Sequence, residues 1–332
     1  MGIPMIRLLM PEHRAVVSQH TAVQISFAEH SREYAAPAFD WRNLTHSGAP
    51  DCSVPAPVVF SWEAADTAVL QISRTEDFSV LDRVVQAENR AVVYNFEIGQ
   101  RYYWRVLCGG AASEVRVFLT EDRTPRWLYI DGTTNVRDLG GWKTLDGGRI
   151  RQGLLFRGSE FDIHKEITPA GIDELCGHLG VKTDLDVRGE VVGIRSDSPL
   201  GKDVAYHLVP IKAYDEYFRE TEVYPVIFGL LADARNYPMY FHCWGGADRT
   251  GSLACMIEAL CGVSDAEQDL DYELTSLSVW GQRSRDGEGW RMFINEMAAL
   301  GQTRQEQARA FLRRAGVSDE TMDRIVQILV EH

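Results

Sequence analysis

The alternation of hydrophobic and polar positions divides the chain into two parts near residue 124. Upstream of that point, short apolar runs rich in β-branched and aromatic residues are separated by turn residues, without a helical period. These runs are Val58–Trp62, Ala68–Ser73, Ala91–Phe96, Tyr102–Leu107 and Val115–Leu119. Short strands at this spacing are typical of two packed antiparallel sheets, so we predict an all-β sandwich over residues 1–124.

In residues 125–332, signals for strands and helices alternate. Val181–Val187 and Ala205–Ile211 have the apolar content of core strands. Ser264 and Glu267 have the spacing of a capping box that begins a helix. The alternation predicts an α/β domain, and such domains place their ligands at the carboxyl ends of parallel strands.

The most specific pattern of this second domain lies between a strand and a helix. Tyr237–Phe241 is a short aromatic run that is typical of a buried strand, and Ser252–Leu260 has the apolar content of a helix. The loop between them contains Cys243 and, six positions later, Arg249. Backbone N–H groups of a glycine-containing loop and of the first helical turn can bind a phosphate dianion.

This placement suits a nucleophilic cysteine. Cysteines at helix N-termini beside cations have a pKa of roughly 3.5–7.5 instead of about 8.5, so they are largely thiolates at neutral pH. We expect Thr250 to hydrogen-bond such a thiolate at Cys243, and Arg249 to bind two phosphate oxygens with its planar fork. A buried structural cysteine is the alternative, but the combination of strand, glycines and helix favours the nucleophile. The candidate phosphate-binding residues are Trp244, Gly245, Gly246, Ala247, Asp248 and Arg249.

The loop resembles the signature of protein tyrosine phosphatases. Its Asp-Arg-Thr-Gly ending is similar to the atypical bacterial family that includes dual- and triple-specificity enzymes of the mycobacterial phosphatase B type. Four more segments resemble motifs of that family: Asn135–Gly141, Leu154–Glu160, Asp186–Arg188 and Asp271–Leu274. The resemblance implies hydrolysis of phosphomonoesters through a phosphocysteine on Cys243, without a cofactor. Members that act on phosphoinositides commonly carry a lysine where this chain has Ala247. The absence of this lysine argues against a lipid substrate.

Two aspartates are candidates for the general acid of this reaction. The resemblance implies Asp248, because the family lacks the mobile Trp-Pro-Asp loop of other tyrosine phosphatases. Asp215, which follows a predicted strand, is the rival. A structural role for Asp248, in which its carboxylate accepts hydrogen bonds from loop N–H groups, is an equally open alternative.

Four residues outside the loop's phosphate-binding run are candidates for supporting roles. We expect His242 to tune Cys243 through hydrogen bonding and loop geometry, with a satisfied buried histidine as the alternative. Arg137 and Asp138 are predicted to form an ion pair that braces the loop, with substrate contact as the alternative. The same two roles are open for Arg188.

Composition limits the classes of partner. The chain has 332 residues and 45% hydrophobic content, enough for two cores, and its net charge of −14 argues against nucleic acid or an anionic membrane. No apolar run has membrane-spanning length, and the N-terminal apolar stretch is short and interrupted by Pro4, so we expect a cytoplasmic protein. The six cysteines contain no Cys-x-x-Cys pair and no histidine cluster, so we expect neither a metal site nor a disulfide framework.

The first domain resembles a fibronectin type III or related immunoglobulin-like module. The strand with Trp62 and the stretch Gly99–Val106 carry this resemblance. It implies an immunoglobulin-like sandwich in front of the α/β domain.

Together these patterns predict a cysteine-dependent protein tyrosine phosphatase with dual specificity. Its substrate would be a phosphorylated protein or a small phosphate ester. Two alternatives stay open: an inositol-phosphate or phosphoinositide phosphatase, and a non-catalytic adaptor that binds phosphate without turnover.

Overall fold

The computed structural model describes residues 6–34, 50–189 and 196–332. Its described residues form two compact units. The first unit contains residues 6–21 and 55–124. The second unit contains residues 22–34, 50–54, 125–189 and 196–332. One boundary between the two units lies between residues 124 and 125. Residues 22–34 and 50–54 differ from the prediction, because they pack with the second unit rather than with the first.

The first unit contains two sheets around one apolar core. Its strands are β1 (Arg7–Met10), β2 (Ala15–Val17), β3 (Val58–Glu63), β4 (Ala68–Ser73), β5 (Leu81–Ala87), β6 (Arg90–Val93), β7 (Arg101–Cys108), β8 (Ala111–Ala112) and β9 (Arg116–Thr120). One sheet has the order β1-β3-β6 and the other β2-β9-β7-β4-β5, with β8 paired to β7. Phe60 of the first sheet meets Trp104 of the second edge to face, with 5.3 Å between ring centroids. Alternate residues of β3 and β7 are buried, as expected for strands with one face on a core.

The second unit contains a six-stranded mixed sheet. The strands of this unit are β10 (Arg126–Trp127), β11 (Arg137–Asp138), β12 (Arg149–Ile150), β13 (Leu155–Gly158), β14 (Thr183–Asp186), β15 (Ala205–Leu208), β16 (Met239–His242) and β17 (Val330–Glu331). β12 and β17 form a separate two-stranded sheet. The six-stranded sheet has the order β10-β11-β13-β16-β14-β15. The last four strands in that order are parallel, whereas β10 and β11 pair antiparallel.

Helices of the second unit cover the sheet. They are α1 (Ala22–His30), α2 (Pro169–Ile172), α3 (Tyr224–Leu231), α4 (Asp248–Cys261), α5 (Asp265–Glu273), α6 (Glu288–Ala298), α7 (Arg304–Arg314) and α8 (Asp319–Leu329). A π-helical segment (Asp173–His178) continues α2, and short 3-10 helices cover Ser31–Glu33, Tyr214–Phe218, Ala234–Asn236 and Leu274–Leu277. Half of the predicted capping box of α5 is present: Ser264 accepts a hydrogen bond from the N–H of Glu267, but the Glu267 carboxylate accepts from the Ser264 hydroxyl instead of from its backbone N–H.

The central strand β16 is buried on both faces. Met239 and Phe241 point into the larger apolar core with α4, whereas Tyr240 points into the smaller core with Phe156 and Leu175. A parallel strand between two layers is typical of an α/β domain. None of the helices in the described ranges combines the length and apolar content needed to cross a membrane.

Candidate active site

The end of β16 leads directly into the cysteine loop. His242 is the last residue of the strand, and it lies between Gly158 of β13 and Asp186 of β14 in the parallel register. The chain then forms the loop Cys243–Ala247 and enters α4 at Asp248. This is the strand–loop–helix arrangement that the sequence predicts, at the carboxyl edge of the parallel strands.

Two glycines allow the loop to pack closely against its surroundings. Gly246 has a φ of +62°, and a Cβ atom there would lie 2.2 Å from the carbonyl oxygen of Gly158. A Cβ atom at Gly245 would lie 2.5 Å from the ring of Trp280. Since neither position has room for a side chain, the loop needs glycine at both.

Carbonyl groups of the loop accept hydrogen bonds from buried side chains. Asn135 Nδ2 donates to the carbonyl oxygen of Gly245 at 2.9 Å and to that of Gly246 at 3.3 Å. Arg157 Nη2 donates to the same Gly246 oxygen at 2.7 Å. In contrast, the backbone N–H groups of residues 244–249 have no acceptor within the described part of the chain. A loop whose N–H groups are unpaired is suited to an oxyanion.

Asp271 of α5 connects two buried arginines behind the loop. It accepts a hydrogen bond from Arg137 Nε at 2.6 Å and another from Arg157 Nη1. Arg137 also donates to the side chain of Asn135 at 2.6 Å. Burial and the neighbouring Arg157 lower the pKa of Arg137 to about 10, although Asp271 opposes this. These groups form a charged brace for the loop rather than a surface for substrate.

The predicted ion pair between Arg137 and Asp138 is wrong. Asp138 instead accepts from Arg126 Nη1 at 2.8 Å and from the N–H groups of Gly140 and Gly153. The two predicted partners are neighbours in β11, and consecutive side chains of a strand point to opposite faces.

Arg188 also forms ion pairs with carboxylates. Its guanidinium donates to Asp186 and to Asp162, each at 2.7 Å, and lies 3.5 Å from Glu160. Its central carbon lies 4.9 Å from the ring centroid of Trp244. Arg188 therefore supports the ring of Trp244, and its charge is already compensated.

Arg249 differs from these arginines. It is partly exposed, and no carboxylate or carbonyl group among the described residues accepts a hydrogen bond from its side chain. Its Nη1 lies 3.6 Å from the place that a Cβ atom of Gly189 would occupy, so it passes the end of the β14 strand.

His242 is buried immediately before the cysteine. Its Nε2 lies 3.0 Å from Asp184 Oδ1, and its Nδ1 lies 3.2 Å from the carbonyl oxygen of Cys243. Burial by itself lowers the pKa of His242, but Asp184 and Asp186 outweigh burial and raise it to about 9. Since both ring nitrogens face oxygen acceptors, the protonated imidazolium satisfies both contacts.

Cys243 lies at the bottom of the loop, with 4% of its surface exposed. The predicted hydrogen bond from Thr250 to this thiol is absent. The Thr250 hydroxyl is buried and has no hydrogen-bond partner among the described residues. Thr250 is the third residue of α4.

Asp248 is held by side chains that lie outside the loop. Arg283 donates to its carboxylate through Nε at 2.6 Å and Nη2 at 3.0 Å, and the hydroxyl of Tyr214 donates to Oδ1. The alternative that this carboxylate accepts from loop N–H groups is wrong, because its recorded partners are side chains. Tyr214 also meets the hydroxyl of Tyr272 at 2.9 Å.

The rival Asp215 has a different environment. It pairs with Arg219 at 2.5 Å. It also lines a cavity of about 390 Å³ together with Phe218, Phe311 and Arg314, and no residue of the cysteine loop lines this cavity. Asp248 shares one segment of chain with Cys243 and Arg249, whereas Asp215 lies on the 3-10 helix Tyr214–Phe218.

Several site residues carried only a weak signal in the sequence. Arg157 and Asp271 lie in segments that resemble family motifs, so their positions, but not their pairing, were predictable. Trp280, Arg283 and Tyr214 lie in segments without a diagnostic pattern. Within the described residues, no group of His, Cys, Asp and Glu has the geometry to hold a metal ion.

Comparison with known proteins places most of the second unit in a family. The model of a family described as the tyrosine phosphatase family matches residues 128–331. Among solved structures, the chain is similar to the core catalytic domain of the PP-IP phosphatase SIW14 from S. cerevisiae in complex with citrate, at 17% identity and a TM-score of 0.31. That match covers 38% of this chain and 76% of the other. No curated protein matches the sequence.

Proposed function

Because the chain belongs to the tyrosine phosphatase family, we propose that it hydrolyses phosphate monoesters, with Cys243 as the nucleophile and Arg249 as the cation that binds the phosphate. The observation that carries this proposal is the environment of Arg249: among the described residues its guanidinium has no hydrogen-bond acceptor, and neither have the N–H groups of the adjoining loop. Both kinds of donor are suited to the equatorial oxygens of a phosphoryl group.

The reaction would proceed in two steps. The sulfur of Cys243 attacks phosphorus, the S–P bond forms and the bond to the leaving oxygen breaks while Asp248 gives that oxygen its proton. Water then attacks the phosphocysteine, Asp248 takes a proton from the water, and the S–P bond breaks to release inorganic phosphate. We assign the acid role to Asp248 rather than Asp215 because it lies beside Arg249 in the first turn of α4.

We propose a phosphotyrosyl protein as the substrate, with dual specificity toward other phosphate esters. The thiol of Cys243 is nearly buried, and an aryl phosphate reaches further from a peptide backbone than a phosphoserine does. The partly exposed ring of Trp244 is suited to packing against such an aryl group.

An inositol-phosphate substrate is the second candidate. A polyphosphorylated ring favours several cations, whereas the loop Cys243–Arg249 contains one, because Ala247 has no charge. This composition favours a single phosphate group. Assignment to the bacterial dual-specificity subgroup stays a prediction.

We further propose that the first unit is an immunoglobulin-like domain. Its two sheets enclose a core that contains Trp62 and Trp104, which supports the resemblance in the sequence. Urea unfolding of a fragment ending at residue 124 would test this proposal. A cooperative transition supports an independent domain, and a fragment without one argues against it.

A substrate panel tests the proposed activity. Phosphate release is compared for a phosphotyrosyl peptide, the matched phosphoseryl peptide, an inositol polyphosphate and p-nitrophenyl phosphate. We expect the highest kcat/KM with the phosphotyrosyl peptide, complete loss in Cys243→Ser, and full activity in the control Cys176→Ser, a partly exposed cysteine outside the loop. Full activity in Cys243→Ser contradicts the proposal. Vanadate-sensitive turnover supports a catalyst, and binding of oxyanions without turnover supports the adaptor.

The acid is tested with esters of different leaving groups. Asp248→Asn should slow hydrolysis of phenyl phosphate by about 10²–10⁴-fold and leave dinitrophenyl phosphate nearly unaffected, because a strongly acidic phenol needs no proton donor. Asp215→Asn is the matched control. The opposite result would assign the acid to Asp215.

A further inference from the structure

The sheet β2-β9-β7-β4-β5 of the first unit carries a cavity of about 470 Å³ on the face turned away from the core. Tyr102 and Trp104 of β7 are buried in that core. Arg101 and Tyr103 alternate with them along the strand, so they point to the opposite face and line the cavity. Ligand sites in proteins have volumes of about 300–1,000 Å³, and this cavity falls within that range.

The pairing of the strands places the lining residues side by side. Tyr103 of β7 lies opposite Val117 of β9, and Arg101 lies opposite Leu119. The N–H of Arg14 donates to the carbonyl oxygen of Val117 at 2.6 Å, from the side of β9 where β2 pairs. Because neighbouring strands are about 4.8 Å apart, the backbone of Arg14 lies about 10 Å from β7. Val117 and Leu119, which we call the apolar strip, therefore lie between the two arginines.

The cavity is cationic although the whole chain has a net charge of −14. Its described lining contains three arginines, Arg14, Arg101 and Arg116, and one carboxylate, that of Glu76. Arg116 is already paired, since its Nε lies 2.9 Å from Glu114. Within residues 6–34, 50–189 and 196–332, the side chains of Arg14 and Arg101 form neither an ion pair nor a hydrogen bond. The cavity thus offers two guanidinium groups to an anion.

Two further groups add hydrogen-bond donors to the lining. His13 Nδ1 accepts from the N–H of Val117 at 3.4 Å, so the neutral ring carries its proton on Nε2. Tyr103 contributes a partly exposed hydroxyl. Arg14 has a φ of +66°, a conformation that a non-glycine residue keeps only where its surroundings enforce it. The backbone of His13 and Arg14 is therefore held in place against β9.

This lining favours a ligand that has both an anionic and an apolar part. A planar guanidinium fork binds two oxygens of a phosphate or a carboxylate. A phosphate monoester carries nearly two negative charges at pH 7, whereas a carboxylate carries one, so two unpaired arginines favour the phosphate. The apolar strip and the ring of Tyr103 are suited to an aromatic ring next to that phosphate.

We propose that the first unit binds a phosphotyrosyl segment of a protein in this cavity. Arg14 and Arg101 bind the phosphate, and the tyrosine ring packs on Tyr103 and the apolar strip. The described lining residues all belong to the first unit, whereas Cys243 belongs to the second. The inference therefore goes beyond the proposed hydrolysis and does not depend on it.

The test measures peptide binding to the full chain. Cys243→Ser and Arg249→Met are combined in one background variant, which prevents transfer of the phosphate to sulfur and removes the guanidinium of the cysteine loop. A short labelled peptide with one phosphotyrosine between alanines is titrated with this variant, and fluorescence anisotropy gives the Kd. We expect saturable binding that Arg14→Met or Arg101→Met weakens at least about tenfold, through the loss of a charge-assisted contact.

Arg105→Met is the matched control. Arg105 lies on the same strand and the same face of the sheet as Arg101. Its Nε donates to Gln71 at 2.9 Å, and its central carbon lies 4.0 Å from the ring centroid of Phe78. Since this guanidinium is already engaged, Arg105→Met should leave the Kd unchanged. Arg14 and Arg101 are exposed, so their variants should fold, and urea midpoints establish this for each variant.

Weaker binding in Arg14→Met and Arg101→Met, but not in Arg105→Met, supports the inference. It is overturned if no saturable binding occurs, if neither lining variant changes the Kd, or if all three variants weaken binding equally. Equal affinity for the unphosphorylated peptide, or for one with glutamate in place of phosphotyrosine, also overturns it.

A failure of the proposed function is a separate result. In that case the chain with Cys243 and Arg249 intact would not hydrolyse p-nitrophenyl phosphate, whatever the anisotropy shows. In the same intact chain, Arg14→Met and Arg101→Met should hydrolyse p-nitrophenyl phosphate at the wild-type rate.

Discussion

The buried arginines behind the cysteine loop and Arg249 at its end differ in their surroundings, although all of them carry a guanidinium group. Arg137, Arg157 and Arg188 are buried, and each donates to at least one carboxylate. Arg249 is partly exposed and, within the described ranges, donates to none. A guanidinium that is already paired gains little from a second anion, whereas an unpaired one gains a charge-assisted bidentate contact. The comparison separates the arginines that pair with carboxylates around the loop from the one that we propose to bind phosphate.

The largest expected effect comes from replacing Arg249. Arg249→Lys keeps the charge but loses the planar fork, so we expect kcat to fall by at least about 10³-fold, the lower end of what a transition-state arginine contributes. Steady-state kinetics with p-nitrophenyl phosphate measure this. Because Arg249 has no structural partner in the described chain, the urea midpoint should stay near the wild-type value.

The matched control is Arg219→Lys, at an arginine whose recorded partner is Asp215 and which lines the separate cavity. It should keep the wild-type kcat. Equal losses in the two variants would remove the distinction between Arg249 and the other arginines.

Removing the carboxylate that pairs with the buried arginines should reduce stability. Asp271→Asn leaves Arg137 and Arg157 buried without their shared carboxylate, so we expect the free energy of unfolding to fall by about 3–5 kcal/mol. Urea denaturation measures this difference. Asp265→Asn is the control, because that carboxylate is 65% exposed and lies 3.6 Å from Arg304; its loss should stay below about 1 kcal/mol. A stable Asp271→Asn would show that the brace does not support the fold.

Local patterns in the sequence were enough to predict the loop, because strand, glycines, cysteine and helix are adjacent in the chain. The brace was not predictable in the same way. Arg137 and Asp271 are 134 positions apart, and a single sequence carries no signal for that pairing. The wrong pairing of Arg137 with Asp138 was avoidable, since neighbours in a strand point to opposite faces.

The surroundings of Asp248 were also not predictable from the sequence. Asp248 was a candidate from its position in the loop, but Arg283 and Tyr214 come from irregular segments 35 and 34 positions away. The backbone path of such segments depends on tertiary packing rather than on local preference.

The smallest expected effect is a change in the pKa of His242, which pairs with Asp184 next to the loop. In Asp184→Asn, we expect the pKa of His242 to fall from about 9 toward its ordinary value, because the carboxylate at 3.0 Å no longer offsets burial. NMR titration of the imidazole measures this shift. An unchanged pKa would assign the effect to Asp186.

The same pair predicts a dependence of stability on pH. A folded-state pKa above the unfolded value of about 6.5 stabilises the fold fully below that pH, and the contribution is lost as pH rises through about 9. The stability difference between the wild type and Asp184→Asn, on the order of 3 kcal/mol at most from this shift, should therefore shrink between neutral pH and pH above about 9. A constant difference would mean that His242 is not the group that titrates.

Trapping the intermediate tests the central assignment most directly. Rapid acid quenching of the wild-type chain during turnover of dinitrophenyl phosphate, followed by peptide mass spectrometry, should locate one phosphoryl group on Cys243. Cys176→Ser should give the same modified peptide, and Cys243→Ser should give none. A phosphoryl group on a different residue, or turnover in Cys243→Ser, would contradict the account.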